Sequence, residues 1–175
     1  MPVSALASTG TTCYNLRAMS PDLSKPRRVA VNAHLISGQA GYRSAGVHQY
    51  IVHLLAHLPT VDPGIEVVGL VGRAGVSEMP GLSLVRSRLP THRAAVRIVW
   101  EQAIQPFALR KVRANLVHGP VNVAPLLATC PSVITIHDLS FLRCPHLLRP
   151  ANRTYLRIMT QLSARRAKRI IAVSR

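Results

Sequence analysis

Between Ala45 and Leu58, the apolar residues Val47, Tyr50, Ile51, Leu54, Leu55 and Leu58 recur in register. That i, i+3, i+4, i+7, i+8, i+11 spacing predicts a helix with a single buried stripe. Pro59 and the pair Pro63-Gly64 are expected to end it. On either side the pattern is that of strands. Arg28–Ile36 (RVAVNAHLI) alternates and then turns apolar, and Ile65–Val71 (IEVVGLV) is nearly all apolar. Shorter strands are expected around Leu82–Val85, Asn115–His118, Ser132–Ile136 and Ile170–Val173. His92–Val112 has a helical pattern with Val96, Trp100, Ala103, Ile104 and Phe107 on one face. Pro106 lacks an N–H and clashes with the preceding turn, so it should kink or split this helix. A last helix opens at Arg149 or Pro150 and runs to about Arg166.

Strands that alternate with helices and are themselves almost continuously apolar imply an α/β fold: a parallel sheet with helices on both faces. The 175 residues suffice for one such domain, expected over residues 27–175. Residues 1–26, rich in Ser, Thr, Ala and Pro and without periodicity, are expected to be a flexible leader. No run is long enough to span a membrane, and no basic segment followed by an apolar one marks a signal peptide. The three cysteines, Cys13, Cys130 and Cys144, lack metal or redox spacing and fit reduced thiols in the cytoplasm.

Charge changes the picture more than length does. Lys and Arg number 22 against 6 Asp and Glu, a formal net charge of +16. This favours an anionic partner, whether nucleic acid, acidic bilayer or phosphorylated ligand. An arginine-rich bias spread over a solvated surface accounts for the same numbers. Aromatic residues are 4% of the chain, which argues against a nucleic-acid binder built on stacking platforms. The excess concentrates late: Arg149, Arg153 and Arg157 recur every four residues and so share a helix face, next to Leu156 and Met159. That stripe suits docking on an anionic membrane surface, and equally suits a solvated face.

Ligands of an open parallel sheet bind at the carboxyl ends of its strands. His34, His118 and His137 all fall at or near such ends, as if converging on one polar cleft. Asp138, one of six acids, stands beside His137; it could accept a sugar hydroxyl or orient the imidazole, or simply form a turn. Glycines at Gly38, Gly41 and Gly46 precede the first helix, where backbone can approach a phosphate. They match neither a P-loop nor a dinucleotide fingerprint, and Ser44 could merely cap the helix. His53 and His57, four apart, have no third ligand, and no G-x-S-x-G marks a serine hydrolase.

Four stretches in order resemble the N-terminal, acceptor-side domain of GT-B glycosyltransferases of family 4 (group 1). Ser44–Tyr50 resembles the family's glycine-bearing start of the first helix. Asn115–Pro120 (NLVHGP) is similar to its strand end with a histidine and a proline. Val133–Leu139 (VITIHDL) is similar to its TIHDL motif, and Ser163–Ser174 to its segment ending in iiavS.

The resemblance implies a Rossmann-like parallel sheet forming one half of a GT-B fold. It implies transfer of a sugar from a nucleotide-sugar to a glycan or lipid-linked acceptor, usually with retention, without a cofactor or required metal. Catalytic roles would fall to His137, beside the transferred sugar, and to Asp138 in support. Gly41 and Gly46 would lie near the donor phosphates, and His118 and His34 on the substrate side. Arg149, Arg153 and Arg157 would hold the protein on the inner face of a membrane. The family's donor domain carries an E-x7-E motif, whereas Glu66, Glu78 and Glu101 are the only glutamates here and no two are eight apart. The sequence stops at Val-Ser-Arg, at a strand end, so a truncated acceptor half, inactive without a donor domain in cis or in trans, is expected. Other readings stay open: a stand-alone basic α/β module on anionic membrane or nucleic acid, or a non-functional remnant.

Overall fold

The computed structural model describes residues 27–36, 46–73, 78–79, 81–144, 146 and 148–173. Six strands form one sheet: β1 Arg27–Ala33, β2 Ile65–Val71, β3 Ser83–Arg86, β4 Leu116–Gly119, β5 Ser132–Ile136 and β6 Arg169–Ala172. Every pairing is parallel, in the order β3-β2-β1-β4-β5-β6. This is the doubly wound Rossmann-like order, in which the winding reverses between β1 and β4. The leader, Gly38, Gly41 and Ser44 lie outside the described residues.

Alternation along β1 explains the two layers. Val29, Val31 and Ala33 pack with Ile51 and Leu55 of helix α1 (Val47–Val61). Ala30 faces the other way, joining Val68, Leu70 and Val117 under Trp100 and Leu109. Burying residues of this size contributes about 1.5–3 kcal/mol each, which is why the strands need no polar alternation.

Three expectations need correction. The first strand stops at Ala33 rather than Ile36: His34 and Leu35 form a turn closed by Ile36 N–H donating to the Ala33 carbonyl at 3.0 Å. Helix α1 runs through Pro59 to Val61. Few residues follow the proline, and the Thr60 hydroxyl donates to the His57 carbonyl at 2.8 Å, so the strain falls on a frayable last turn. The helix stops instead at Asp62, whose side chain accepts the Gly64 N–H at 2.9 Å.

The third correction matters most for the site. The helix expected over 92–112 consists of α2 (Ala94–Val99), a π-helical turn (Trp100–Ile104) and α3 (Gln105–Lys111). The wide turn accommodates Pro106, which has no N–H to continue the α ladder. It also inserts one residue and so rotates the helix face. Trp100, Glu101, Gln105 and Leu109 are buried, while Ile104 and Phe107, expected in the core, are 39% and 68% exposed. A carboxylate thereby enters a position that uniform helical periodicity would give to solvent.

Helix α4 (Ser140–Arg143) is short and was not evident from periodicity; α5 (Pro150–Arg166) spans the expected range. The loop after β4 is stitched down by side chains of both flanking helices. Ser163 Oγ accepts the Ala124 N–H at 3.1 Å, and Gln102 Oε1 accepts the Leu126 N–H at 3.0 Å. At the amino edge of the sheet, Arg27 pairs with Asp62 at 2.5 Å and Arg28 with Glu66 at 2.6 Å. These half-exposed pairs are worth about 0–1 kcal/mol each, but they fix where two of the six acids sit.

Gly119 lets the β4 loop fold back on its own strand, since a Cβ there would collide with the Val123 carbonyl. Gly119→Ala should therefore destabilise the domain by about 1–3 kcal/mol, as overpacking does. Urea unfolding should show a lower midpoint at unchanged m-value; an unchanged midpoint would mean the loop has another path.

Candidate functional site

The carboxyl ends of β1 and β4 diverge at the switch point, and the three expected histidines all lie at that edge. They do not converge. Side-chain alternation places His118 and His137 on the α1 side of the sheet and His34 on the α2/α3 side.

On the α1 side, Thr135 of β5 is the hub. Its Oγ1 shares hydrogen bonds with His118 Nε2 at 2.8 Å and with Tyr50 Oη at 3.0 Å. The Tyr50 ring meets His137 edge-on, with centroids 4.9 Å apart at 88°. His137 donates from Nε2 to the Pro120 carbonyl at 2.8 Å, and its backbone N–H donates to Asn122 Oδ1 at 3.3 Å. The carbonyl fixes the proton on Nε2 and so sets the ring's orientation and tautomer. Asn122 is buried with φ of 54°, and its own N–H donates to the Thr135 carbonyl at 2.8 Å. One strained loop residue thus ties the ends of β4 and β5 together. Burial holds the His118 pKa down at about 4, so the imidazole is neutral near pH 7.

On the other side, His34 Nδ1 shares a hydrogen bond with Thr91 Oγ1 at 3.0 Å, and its ring lies against Trp100 at 4.0 Å. Burial, and then the Arg97 cation, lower its pKa to about 3. Among the described residues its Nε2 has no hydrogen-bond partner, so His34 is a packed, neutral residue rather than an open ligand. Asn32, at the end of β1, donates from Nδ2 to Glu101 Oε1 at 3.1 Å, and Arg97 Nε lies 3.8 Å from the same oxygen. Burial raises the Glu101 pKa against the opposing pull of Asn32 and Arg97. Asn32, Arg97, Glu101 and Tyr155 line a cavity of about 70 Å3 between Leu35 and Val123, directly at the switch point.

Asp138 is exposed and forms a turn: its Oδ1 accepts the Ser140 N–H at 2.8 Å, which leads into α4. The Ser140 bonds lower its pKa most, with a smaller contribution from His137. Gly46 precedes α1 with φ of 54°, a conformation other residues rarely adopt, and no atom of the described residues lies within 4 Å of where a Cβ would stand. Gly41 lies outside the described residues.

Arg149, Arg153 and Arg157 are exposed along α5, but their exposed apolar neighbours are Ile158 and Leu162. Leu156 and Met159 are turned partly inward. His53 and His57 are exposed, and His57 Nδ1 donates to the His53 carbonyl at 2.8 Å. Sequence patterning missed Asn32, Thr135, Asn122, Arg97, Glu101 and Tyr155. The i, i+4 pair Arg97 and Glu101 in the first half of the helix was the one available signal.

A Rossmann-like α/β domain with a polar crevice at its switch point corresponds to one half of a GT-B fold. The family model described as Glycosyltransferase Family 4 matches residues 44–175, so the chain belongs to that family. No curated protein matches the chain. Among the described residues, no helix is long and apolar enough to cross a membrane.

Two neutral buried histidines make stability depend on pH. Their folded pKa values lie below the ordinary value of 6.5, so the unfolded chain binds protons first as pH falls. Stability should fall between pH 6.5 and about 4 through His118, and on to about 3 through His34, by about 1.4 kcal/mol per unit for each group while it titrates. Protonation of Glu101 opposes this trend, because its folded pKa is raised. Urea midpoints of wild type and His118→Asn between pH 7 and 4.5 check it: the variant's slope should be shallower, and equal slopes would contradict the burial argument.

Proposed function

We propose that the chain serves as the acceptor-side domain of a retaining glycosyltransferase. It would move a sugar from a nucleotide-sugar to a glycan or lipid-linked acceptor, with no metal in the step. The observation that carries this reading is His137, held at the crevice edge by the Pro120 carbonyl and the Tyr50 ring within the family-matched segment. A ring oriented before the substrate arrives needs no reorganisation during transfer. Glycosyl transfer builds positive charge on the sugar ring, and the ionised Asp138 beside His137 would stabilise it. The start of α1 at Gly46 would offer backbone N–H groups to the donor phosphates; Gly41, the other glycine expected there, lies outside the described residues. His118 supports the site from below through Thr135, and His34 braces Trp100 on the opposite face.

Nucleotide contacts would come from a donor-binding domain in cis or in trans, because no two of the glutamates have E-x7-E spacing. With such a domain supplied, transfer from a panel of nucleotide-sugars should appear, and His137→Ala should lower kcat by about 100-fold or more. The 175 residues alone should give little product. Brisk turnover by these residues alone would contradict the two-domain reading, and no product in either case would sink the activity.

The arginines of α5 favour an anionic surface. Arg149 and Arg153 stand at the amino end of the helix, with no acid in its first turn, where the macrodipole disfavours cations. An acidic bilayer would offset that cost, with Ile158 and Leu162 entering the interface. Phosphatidylglycerol vesicles should co-sediment the protein where phosphatidylcholine vesicles do not. Replacing all three arginines by glutamine should weaken binding by about 100-fold, at about 1 kcal/mol per arginine. Equal binding to both vesicles would mean that the arginines do not hold the protein on a membrane, and binding to neither would place it away from membranes.

A further inference from the structure

Among the described residues, two other than glycine have a positive φ, Arg113 at 52° and Asn122 at 54°. Arg113 has an ordinary reason: it closes α3. Its N–H donates to the Arg110 carbonyl and the Ala114 N–H to the Leu109 carbonyl, both at 3.0 Å, the bonds of a left-handed helix cap. Asn122 ends no helix, and it is buried. The Val123 N–H donates to the Val121 carbonyl across it, so the three residues make a γ-turn. A positive φ at the central residue makes it the rare, strained form of that turn. Strain of this kind lasts only where the surroundings enforce it, and it gathers at functional sites.

The end of β5 enforces it here. β4 pairs with β5 as far as Gly119 opposite Ile134, and continuing that register would put Val121 opposite Ile136. Asn122 takes the place instead, one residue late. Its N–H donates to the Thr135 carbonyl at 2.8 Å, as a ladder residue's would. The His137 N–H, however, donates to the Asn122 side chain, to Oδ1 at 3.3 Å. In the same loop the Pro120 carbonyl accepts from His137 Nε2 at 2.8 Å. One short loop thus holds His137 twice, by its main chain and by its ring.

Position 122 makes two demands: tolerance of a positive φ, and a side-chain oxygen within reach of a neighbouring N–H. Asparagine meets both. Glycine would relax the turn and bring no acceptor. A turn that served folding alone would be better made with glycine.

We propose that Asn122 is a positioning residue for His137. Its strained turn holds the His137 main chain through Oδ1 while the Pro120 carbonyl holds the ring, so the imidazole keeps one tautomer and one orientation. The bearing of that hold on transfer rests on the glycosyltransferase reading above; the hold itself does not.

The full chain, made with nitrogen-labelled histidine, reports the tautomer through its imidazole nitrogen shifts. The His137 signals are assigned by their loss in His137→Ala. With the ring neutral, wild type should show the Nε2-protonated form alone. Asn122→Gly should show both forms at a urea midpoint close to wild type, because relief of the turn offsets the lost bond. In the two-domain enzyme the same variant should lower kcat by about tenfold and leave KM near its starting value. Asn122→Asp keeps the acceptor and the tolerance of positive φ, so it should keep the single tautomer and most of kcat.

A mixture of tautomers in the wild-type protein overturns the proposal without any variant, so the test survives a variant that fails to fold. A single tautomer with full kcat in Asn122→Gly overturns it as well. So does a loss of kcat that tracks the urea midpoint in Asn122→Gly and Asn122→Asp alike, which marks a structural role. The transfer assay separates this claim from the broader one. A ring locked in wild type and loosened in Asn122→Gly, with no transfer by the two-domain enzyme, removes the transferase and leaves the hold on His137. Transfer unchanged by Asn122→Gly does the reverse.

Discussion

Val29 pairs with Leu116, Ala30 with Val117 and Val31 with His118, and these three steps of parallel ladder join β1 to β4. The chain could have continued outward from β3. It returns instead across the face carrying α2 and α3 and lays β4 against the opposite side of β1. Loops leaving β1 and β4 must then part in opposite directions, and the gap between them is the crevice. That divergence sets the groups at the two strand ends. His118 lies in β4 and the Pro120–Asn122 loop follows it, while Asn32 lies in β1 and His34 follows it.

The two edges of the sheet treat charge differently. At the amino edge, Arg27 and Arg28 meet Asp62 and Glu66 in half-exposed pairs, which cost little to keep because solvent screens them. At the carboxyl edge, histidines and a carboxylate are buried with few partners. Among the described residues His34 Nε2 has no hydrogen-bond partner, and Glu101 has a single hydrogen bond. Burial of this kind lowers stability unless something else gains from it. A site that must present fixed, neutral or poorly solvated groups to a sugar gains from it, and that asymmetry is the physical argument for function at this edge.

The fold was legible in the chain because the inner strands β1, β2, β4 and β5 are largely buried and bounded by Gly and Pro. Ile65–Val71 and Ser132–Ile136 end where the pattern ends. The site was legible by half. Histidines at strand ends were visible, but parity divides them: His118, Thr135 and His137 share a face through β4 and β5, and His34 takes the other. The π-helical turn was not legible. A period of 3.6 residues placed Ile104 and Phe107 inward, and the extra residue before Pro106 buries Glu101 and Gln105 instead. The proline was visible, but how the helix would absorb it was not. The family resemblance supplied the role of His137 and contained nothing of the cavity opposite.

The central claim is that the carboxyl edge at β1 and β4 is the ligand face. Assigned amide shifts, recorded while a nucleotide-sugar and methyl glycosides are added to the protein, test it most directly. The account predicts changes gathered at Asn32–Ile36, Gly119–Val123 and His137–Asp138. Changes centred on Arg27, Arg28, Asp62 and Glu66, or confined to α5, would contradict it.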